Sequence, residues 1–201
     1  MKKFPPKASG IISGLDNRPV IVAVAGANGA GKTTFYEAIS KPAACDFSTR
    51  MFSPQSCGID ASQAAEVAAK LQQELVNQEE SFIFETVFAD PVGEKLSLLK
   101  NAAQQGYTMV LCFFGIADAE RSEERVAMRV SQGGHDVPTD KLTAPFPRTI
   151  TNLKQAIQEL PCVLIFDNND LRTPHCLAAV FQNGKPMLLK KPVPAWLQRV
   201  L

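Results

Sequence analysis

The chain has 201 residues, 45% hydrophobic and 20% charged, which suits one α/β domain with a sizeable core and leaves no room for a second full domain. Lys and Arg number 21 against 20 Asp and Glu, a formal net charge of +1, so no global field favours nucleic acid and a small molecule is the expected partner. Phe4-Pro5-Pro6-Lys7 interrupts the basic start before any apolar signal-peptide stretch forms, and no apolar run approaches membrane-spanning length. A cytoplasmic protein without a membrane partner is the expectation.

Residues 1–19 are polar and punctuated by Pro5, Pro6, Gly10, Gly14 and Pro19, and read as an irregular leader to a single domain over 20–201. The apolar run Val20 to Ala25 predicts a buried strand, and Thr33 to Ser40 a helix. Between Lys41 and Asp60 the pattern is poor in signal, with room for a short strand near Ala44 to Phe47. Ala61 to Asn77 carries an apolar stripe at helical spacing. Ser81 to Phe84 predicts a buried strand ending at Glu85, Gly93 to Gln105 a helix stopped by Gly106, and Tyr107 to Gly115 a further strand. Asp118 is placed to cap a helix over Ala119 to Gln132, which Gly133-Gly134 terminates. Arg148 to Glu159 predicts a helix and Cys162 to Phe166 a strand ending at Asp167. Strands alternating with helices imply a parallel sheet. The tail differs: Leu177 to Gln182 and Pro186 to Lys190 flank Asn183-Gly184, a hairpin signal, and Pro194 to Leu201 brings Trp196 back onto the body.

Directly after the first strand, Gly26 to Thr33 reads Gly-Ala-Asn-Gly-Ala-Gly-Lys-Thr, the phosphate-binding pattern G-x-x-x-x-G-K-[ST]. Gly26, Asn28, Gly29, Ala30, Gly31 and Thr34 are candidate contributors to the nucleotide site, because glycines let backbone N–H groups turn toward anionic oxygens at a helix N-terminus. Lys32 is the candidate for the β/γ-phosphates, and the Thr33 hydroxyl for Mg²⁺. Glu85 ends an apolar strand, where α/β sheets place ligand-contacting groups, and could orient an acceptor or hold Mg²⁺ through water. Asp167 is the second such acid, with Asn168-Asn169-Asp170 beside it reading as a turn. Arg121, Arg125 and Arg129 recur every four residues on one helix face leading into Gly133-Gly134, so 119–148 reads as a lid that could close arginines over a phosphoryl group. The alternative is a solvated face paired with Glu120, Glu123 and Glu124. The cysteines, Cys45, Cys57, Cys112, Cys162 and Cys176, form no C-x-x-C pair, only His135 and His175 could join them on zinc, and reduced buried thiols are expected.

Taken in order, the loop Gly26 to Thr34, the run Ser81-Phe82-Ile83-Phe84-Glu85-Thr86-Val87-Phe88, the arginine helix, the block Gly133-Gly134-His135-Asp136-Val137-Pro138 and Phe146-Pro147-Arg148 resemble the zeta toxin family of P-loop kinases over roughly residues 20–200. The resemblance implies a P-loop NTPase fold, three α/β/α layers with a mostly parallel sheet plus the C-terminal hairpin. It further implies ATP and Mg²⁺, and transfer of the γ-phosphoryl group to a hydroxyl of a sugar nucleotide such as UDP-N-acetylglucosamine, with an antitoxin protein as a candidate partner. Carried over by motif, Lys32 and Thr33 would serve ATP and metal, Glu85 the acceptor sugar, Arg125 or Arg129 the phosphates, and Arg148, which corresponds to an arginine after the lid block, the nucleotide.

The chain departs from the family pattern at two places. The family's aspartate base, usually within Asn-Ala-Asp, has Ser48-Thr49-Arg50-Met51 in its place; Asp46 and Asp60 are the nearby acids, and Asp46 is the candidate base. Thr143-Ala144-Pro145 replaces an arginine cluster after the Val-Pro block. An ATP-binding protein or ATPase with weak or lost transfer is therefore the alternative. Ser131-Gln132-Gly133-Gly134 also resembles the transporter ATPase signature, but Asp167 precedes Asn168 rather than the glutamate such ATPases require.

Overall fold

A computed structural model describes residues 17–35, 61–133 and 137–201. Among the described residues, six strands form one sheet in the order β2-β1-β3-β4-β5-β6. They are β1 Val20–Gly26, β2 Phe82–Thr86, β3 Thr108–Gly115, β4 Cys162–Asp167, β5 Cys176–Gln182 and β6 Lys185–Leu189. The first four run parallel, with β1 between β2 and β3, whereas β4, β5 and β6 pair antiparallel. A helix, α1, opens at residue 32 and is described through 35. The others are α2 Ala61–Asn77, α3 Glu94–Gln104, α4 Ala119–Ser131, α5 Asp140–Thr143, α6 Phe146–Glu159 and α7 Ala195–Gln198.

The alternation of a strand splits β1 between two cores. Ile21, Ala23 and Ala25 pack with Leu75 and Val76 of α2, Leu96, Leu99 and Ala102 of α3, Leu153, Ala156 and Ile157 of α6, and Trp196 and Leu197 of α7. Val20, Val22 and Val24 face the other way, onto Ala30 and Phe35 together with Phe114 and Phe166. Both faces of the sheet are thus covered, which explains why the central strands read as continuous apolar runs. The architecture is the three-layer, mostly parallel P-loop arrangement with a C-terminal hairpin. Asn183 and Gly184 both take positive φ, 47° and 76°, as a tight hairpin turn of matching twist requires. Pro186 sits on the edge strand β6, where a missing N–H is tolerated.

Two expectations shift, and others fall outside the described residues. The helix expected from Arg148 begins at Phe146, because Pro147 fits the first turn, where its N–H is not needed. A short helix, α5, occupies part of a stretch with no predicted element. Residues 1–16, the strand expected near Ala44 to Phe47, most of the helix to Ser40, and Asp46, Asp60, Cys45, Cys57 and His135 lie outside the described residues. Cys112, Cys162 and Cys176 are free thiols, and burial pushes Cys162 up to about 11.

The tail closes the lower-numbered fold. Trp196 is buried against Gly115 at the end of β3, and its indole Nε1 donates to Asp167 Oδ1 at 3.0 Å. A Cβ at Gly115 would overlap three atoms of the indole six-membered ring. Gly115→Ala is therefore expected to displace Trp196 and cost about 1–3 kcal/mol of stability, read as a lower midpoint in urea unfolding with tryptophan fluorescence exposed early.

Candidate functional site

The loop Ala27–Gly31 leaves β1 at the carboxyl edge of the sheet, and Gly26, Gly29 and Gly31 take φ of 140°, 71° and 87°. At Gly31 more than conformation is at stake, since a Cβ there would collide with the Asn168 amide. Four successive carbonyls of this loop are each engaged by a side chain from elsewhere in the fold. Ser122 Oγ donates to Asn28 O at 2.7 Å, Arg125 Nη1 to Gly29 O at 3.4 Å, and Asn168 Nδ2 to Ala30 O at 2.7 Å. His175 Nε2 lies 3.3 Å from Gly31 O, and because a carbonyl only accepts, that nitrogen carries the hydrogen. In a trans peptide the next N–H points opposite to its carbonyl. The N–H of Ala30 closes the turn on Ala27 O at 3.2 Å, and peptide planarity turns those of Gly29, Gly31 and Lys32 away from the held carbonyls, as phosphate binding by this motif requires.

Lys32 is 5% exposed, with Nζ donating to Ala27 O at 3.0 Å and lying 3.6 Å from Glu85 Oε1. Burial lowers its pKa, the Glu85 carboxylate opposes that shift, and the charge of Arg129 adds to it. The other Glu85 oxygen accepts from Thr33 Oγ1 at 3.0 Å. One carboxylate thus joins the lysine and the hydroxyl of the motif. Sheet order explains why Glu85 has this position and Asp167 does not: β2 lies beside β1, with Val24 level with Glu85, whereas β3 separates β4 from β1. Asp167 is instead taken by the Trp196 indole and by the Asn169 N–H at 3.3 Å. Thr34 is exposed beside Thr33 at the start of α1.

The arginine stripe divides. Arg121 is solvent-exposed and pairs with Glu124 at 2.8 Å, as the solvated-face alternative held. Arg125 is 9% exposed and also donates through Nη2 to Asn169 O at 3.0 Å, so its guanidinium ties the phosphate loop to the turn after β4. This corrects the reading of its side chain as part of a lid: Ser122, fully buried, and Arg125 rivet the first half of α4 against the loop. Asp118 caps α4 as expected, accepting from the Arg121 N–H at 2.8 Å. Arg129 is exposed one turn further on, close enough for its charge to act on Lys32. Arg148, expected to serve the nucleotide, donates Nε to Ala89 O at 3.0 Å, in the turn that follows β2. Its neighbours do the same. Thr149 Oγ1 donates to Val87 O at 3.0 Å, and Asn152 Nδ2 to Phe88 O and Asp90 O at 3.0 and 3.1 Å. Phe88, buried, is held at φ 61°, a conformation costly for a bulky residue, so these bonds hold a strained turn next to Glu85.

Ser122, Asn168 and His175 were not among the candidate site residues. The Asn168-Asn169-Asp170 run gave only a turn signal, whereas Asn168 is buried and accepts the His175 N–H at 2.9 Å while donating to the loop. His175 packs edge-on against Phe35 and Phe114, and burial lowers its pKa, partly opposed by its bond to Gly31 O.

This fold and site define the class: a P-loop nucleotide-dependent kinase fold, with the acid of β2 beside the motif lysine. The Zeta toxin family profile matches residues 54–173, more than half of the chain, and the chain belongs to that family. The match begins beyond the phosphate loop, so the loop geometry and the family match are independent of one another. No curated protein sequence matches the chain. Among solved structures, one from the PezAT chromosomal toxin–antitoxin system of Streptococcus pneumoniae is similar at 14% identity and a TM-score of 0.53, covering 75% of this chain and 69% of that one. A chain of the Pnkp1/Rnl/Hen1 RNA repair complex is similar at 14% identity and a TM-score of 0.54, with 71% of this chain and 49% of that one covered. These likenesses concern the fold.

Two predictions follow the geometry of the loop. Asn168→Ala leaves Ala30 O and the His175 N–H without their partner and is expected to cost ~1–3 kcal/mol of stability and to weaken ATP binding, measured by thermal unfolding and calorimetric titration. For His175 the folded pKa lies below the unfolded one, so its contribution is present above the unfolded value near ~6.5 and is lost as pH falls through the folded value. Between pH 7.5 and 5.5 the wild type should lose more stability than His175→Gln; parallel pH profiles for the two would show that the imidazole is not the titrating group.

Proposed function

We propose that the chain transfers the γ-phosphoryl group of ATP to a hydroxyl of a small acceptor, a sugar nucleotide such as UDP-N-acetylglucosamine. The observation that carries this reading is the Glu85 carboxylate shared between Thr33 Oγ1 and Lys32 Nζ at the carboxyl end of β2. In P-loop kinases catalysis is chiefly positioning and neutralisation of charge on the moving phosphoryl group, and this arrangement gathers the groups for both.

In this reading Lys32 exchanges the Ala27 carbonyl for the phosphate oxygens, while the loop N–H groups receive the chain of phosphates. The residues fit Mg²⁺: Thr33 offers a hydroxyl and Glu85 a hard carboxylate, with phosphates and water completing an oxygen shell. Held by Thr33 and Glu85, Mg²⁺ would supply positive charge that offsets the charge of the phosphoryl group in transfer. Among the described residues no cluster of three or more His, Cys, Asp or Glu forms a separate metal site. Arg129, whose charge reaches Lys32, is assigned to the phosphates, and Arg125 is reassigned to positioning the loop. Asp46 takes the proton of the attacking hydroxyl in this scheme. The family and the toxin–antitoxin origin of the Streptococcus pneumoniae relative support an antitoxin as a protein partner. No described helix is long and apolar enough to cross a membrane.

A second reading, an ATP-binding protein or ATPase with weak transfer, is favoured by Ser48-Thr49-Arg50-Met51 standing where the family has its aspartate. Labelled ATP, Mg²⁺ and a panel of sugar nucleotides separate the two. The first reading expects a phosphorylated sugar nucleotide, and free phosphate without it supports the second. Lys32→Ala should lower ATP affinity at least tenfold in calorimetry while the circular dichroism spectrum stays unchanged; undiminished affinity would remove the nucleotide-site assignment that both readings share.

A further inference from the structure

Two stretches at the carboxyl edge of the sheet carry residues that hold the phosphate loop, and both are fastened from α7 and the residue after it. Asn168 and Asn169 follow β4; the first holds Ala30 O, and the carbonyl of the second accepts from Arg125. Residues 116–118 follow β3 and lead into α4, the helix of Ser122 and Arg125. Trp196 makes the first tie. Its ring lies on Gly115 and its Nε1 donates to Asp167 Oδ1 at 3.0 Å. That same Gly115 accepts the Asn168 N–H at 2.9 Å, and that same carboxylate oxygen accepts the Asn169 N–H at 3.3 Å. The indole thus touches both groups that fix the backbone of the asparagine pair.

Arg199 makes the second. Its Nη2 donates to Ala117 O at 2.9 Å, the Ala117 N–H donates to Asn169 Oδ1 at 3.3 Å, and Asn169 O accepts from Arg125 Nη2 at 3.0 Å. Arg125 then reaches Gly29 O. Two adjacent carbonyls of the loop, Gly29 and Ala30, are therefore each joined to the end of the fold by an unbroken series of contacts. The base of both series is firm, because Trp196, Leu197 and Val200 are buried in the main core. Packing alone accounts for those three side chains, and a buried indole N–H needs some acceptor. It does not account for Arg199, which is exposed and has water for a partner, yet is spent on a carbonyl of the second stretch.

Resting on the nucleotide-site assignment above, we propose that Trp196 and Arg199 are positioning residues for ATP, Trp196 acting through Asp167, Gly115 and Asn168 and Arg199 through Ala117, Asn169 and Arg125. Both set the shape of the phosphate loop, so nucleotide affinity depends on the seating of α7. Coupling of this kind is reciprocal, and bound ATP tightens the same ties in return. The chain has a single tryptophan, whose indole N–H gives one assignable signal in an NMR spectrum.

The test uses the full chain with Trp196→Phe, which keeps a ring and loses the N–H, and Arg199→Ala, which leaves the core untouched and decides the matter should the first variant not fold. Ile157→Val on α6 is the control for a change in the same core. Mg-ATP affinity is measured by calorimetry where every variant is folded, and exchange of the Ala30 amide hydrogen, which bonds Ala27 O, is followed by NMR without nucleotide. Trp196→Phe and Arg199→Ala should each weaken ATP about 3- to 10-fold, the size of one hydrogen bond, and speed Ala30 exchange by a similar factor relative to Ile21 of β1. Ile157→Val should keep ATP affinity within about twofold even if its melting temperature falls as far. In an Asp167→Ala background Trp196→Phe should add little, because the two belong to one series of contacts. A variant with wild-type affinity and exchange overturns the role of its own residue, and an equal loss of affinity in Ile157→Val, or effects of Trp196→Phe and Asp167→Ala that multiply, overturns the positioning scheme. Should the wild type bind no ATP while Ala30 exchange still quickens in the two variants alone, the scheme stands and the nucleotide-site assignment falls.

Discussion

The phosphate loop is shaped from behind. A run of glycines permits the backbone conformation but does not select it, because glycine is as free in the unfolded chain as it is permissive in the folded one. Selection comes from four side chains, Ser122, Arg125, Asn168 and His175, each holding one carbonyl of the loop. The planar peptide converts those bonds into the orientation of the N–H groups on the other side. The donors are mostly neutral and mostly buried, and neutrality has a physical advantage here. A charge behind the loop would add its own field to the site, whereas amide, hydroxyl and imidazole fix geometry with little net charge. Arg125 is the exception, and the two carbonyls it bridges spread its interaction over the loop and the turn after β4.

The same device recurs after β2. Three residues of the first two turns of α6 hold the carbonyls that follow Glu85, so the turn beside that acid is also set by a helix that contributes little else to the site. Between these two fastened loops stand Lys32, Thr33 and Glu85, whose mutual contacts are the ones a ligand must exchange. Their desolvation matters. With Lys32 almost completely buried, its attraction to a phosphate is less screened than that of a surface lysine, and its removal from Glu85 must be compensated by the incoming anion. Rigid walls and an exchangeable ion pair are complementary halves of one design.

Much of this was legible in the sequence, and the limits have physical causes. The strands, the main helices, the hairpin turn and the motif itself depend on periodicity, capping and turn chemistry, all local in the chain. Glu85 could be named because a strand end is a place as well as a residue. Asp167 satisfied the same local rule, and only the sheet order, with β3 between β4 and β1, separates the two. Ser122, Asn168 and His175 left no local signal of a role behind the loop, since a hydroxyl, an amide and an imidazole are common in loops and helices, and what distinguishes these is what lies opposite them. The spacing of Arg121, Arg125 and Arg129 correctly set them on one helix, but a four-residue period does not say at which turn the helix meets its neighbour. That meeting falls at Ser122 and Arg125, beside Gly29.

The donors behind the loop stand far from it along the chain: 94 residues from Asn28 to Ser122, 96 from Gly29 to Arg125, 138 from Ala30 to Asn168 and 144 from Gly31 to His175. Closing loops of that length carries an entropy cost that only the assembled sheet repays. A polypeptide emerging during synthesis therefore contains the complete eight-residue signature long before it has the means to hold it in shape. The shape of the loop is a property of the finished tertiary structure: the signature alone, without Ser122, Arg125, Asn168 and His175 brought up behind it, has nothing to hold its carbonyls.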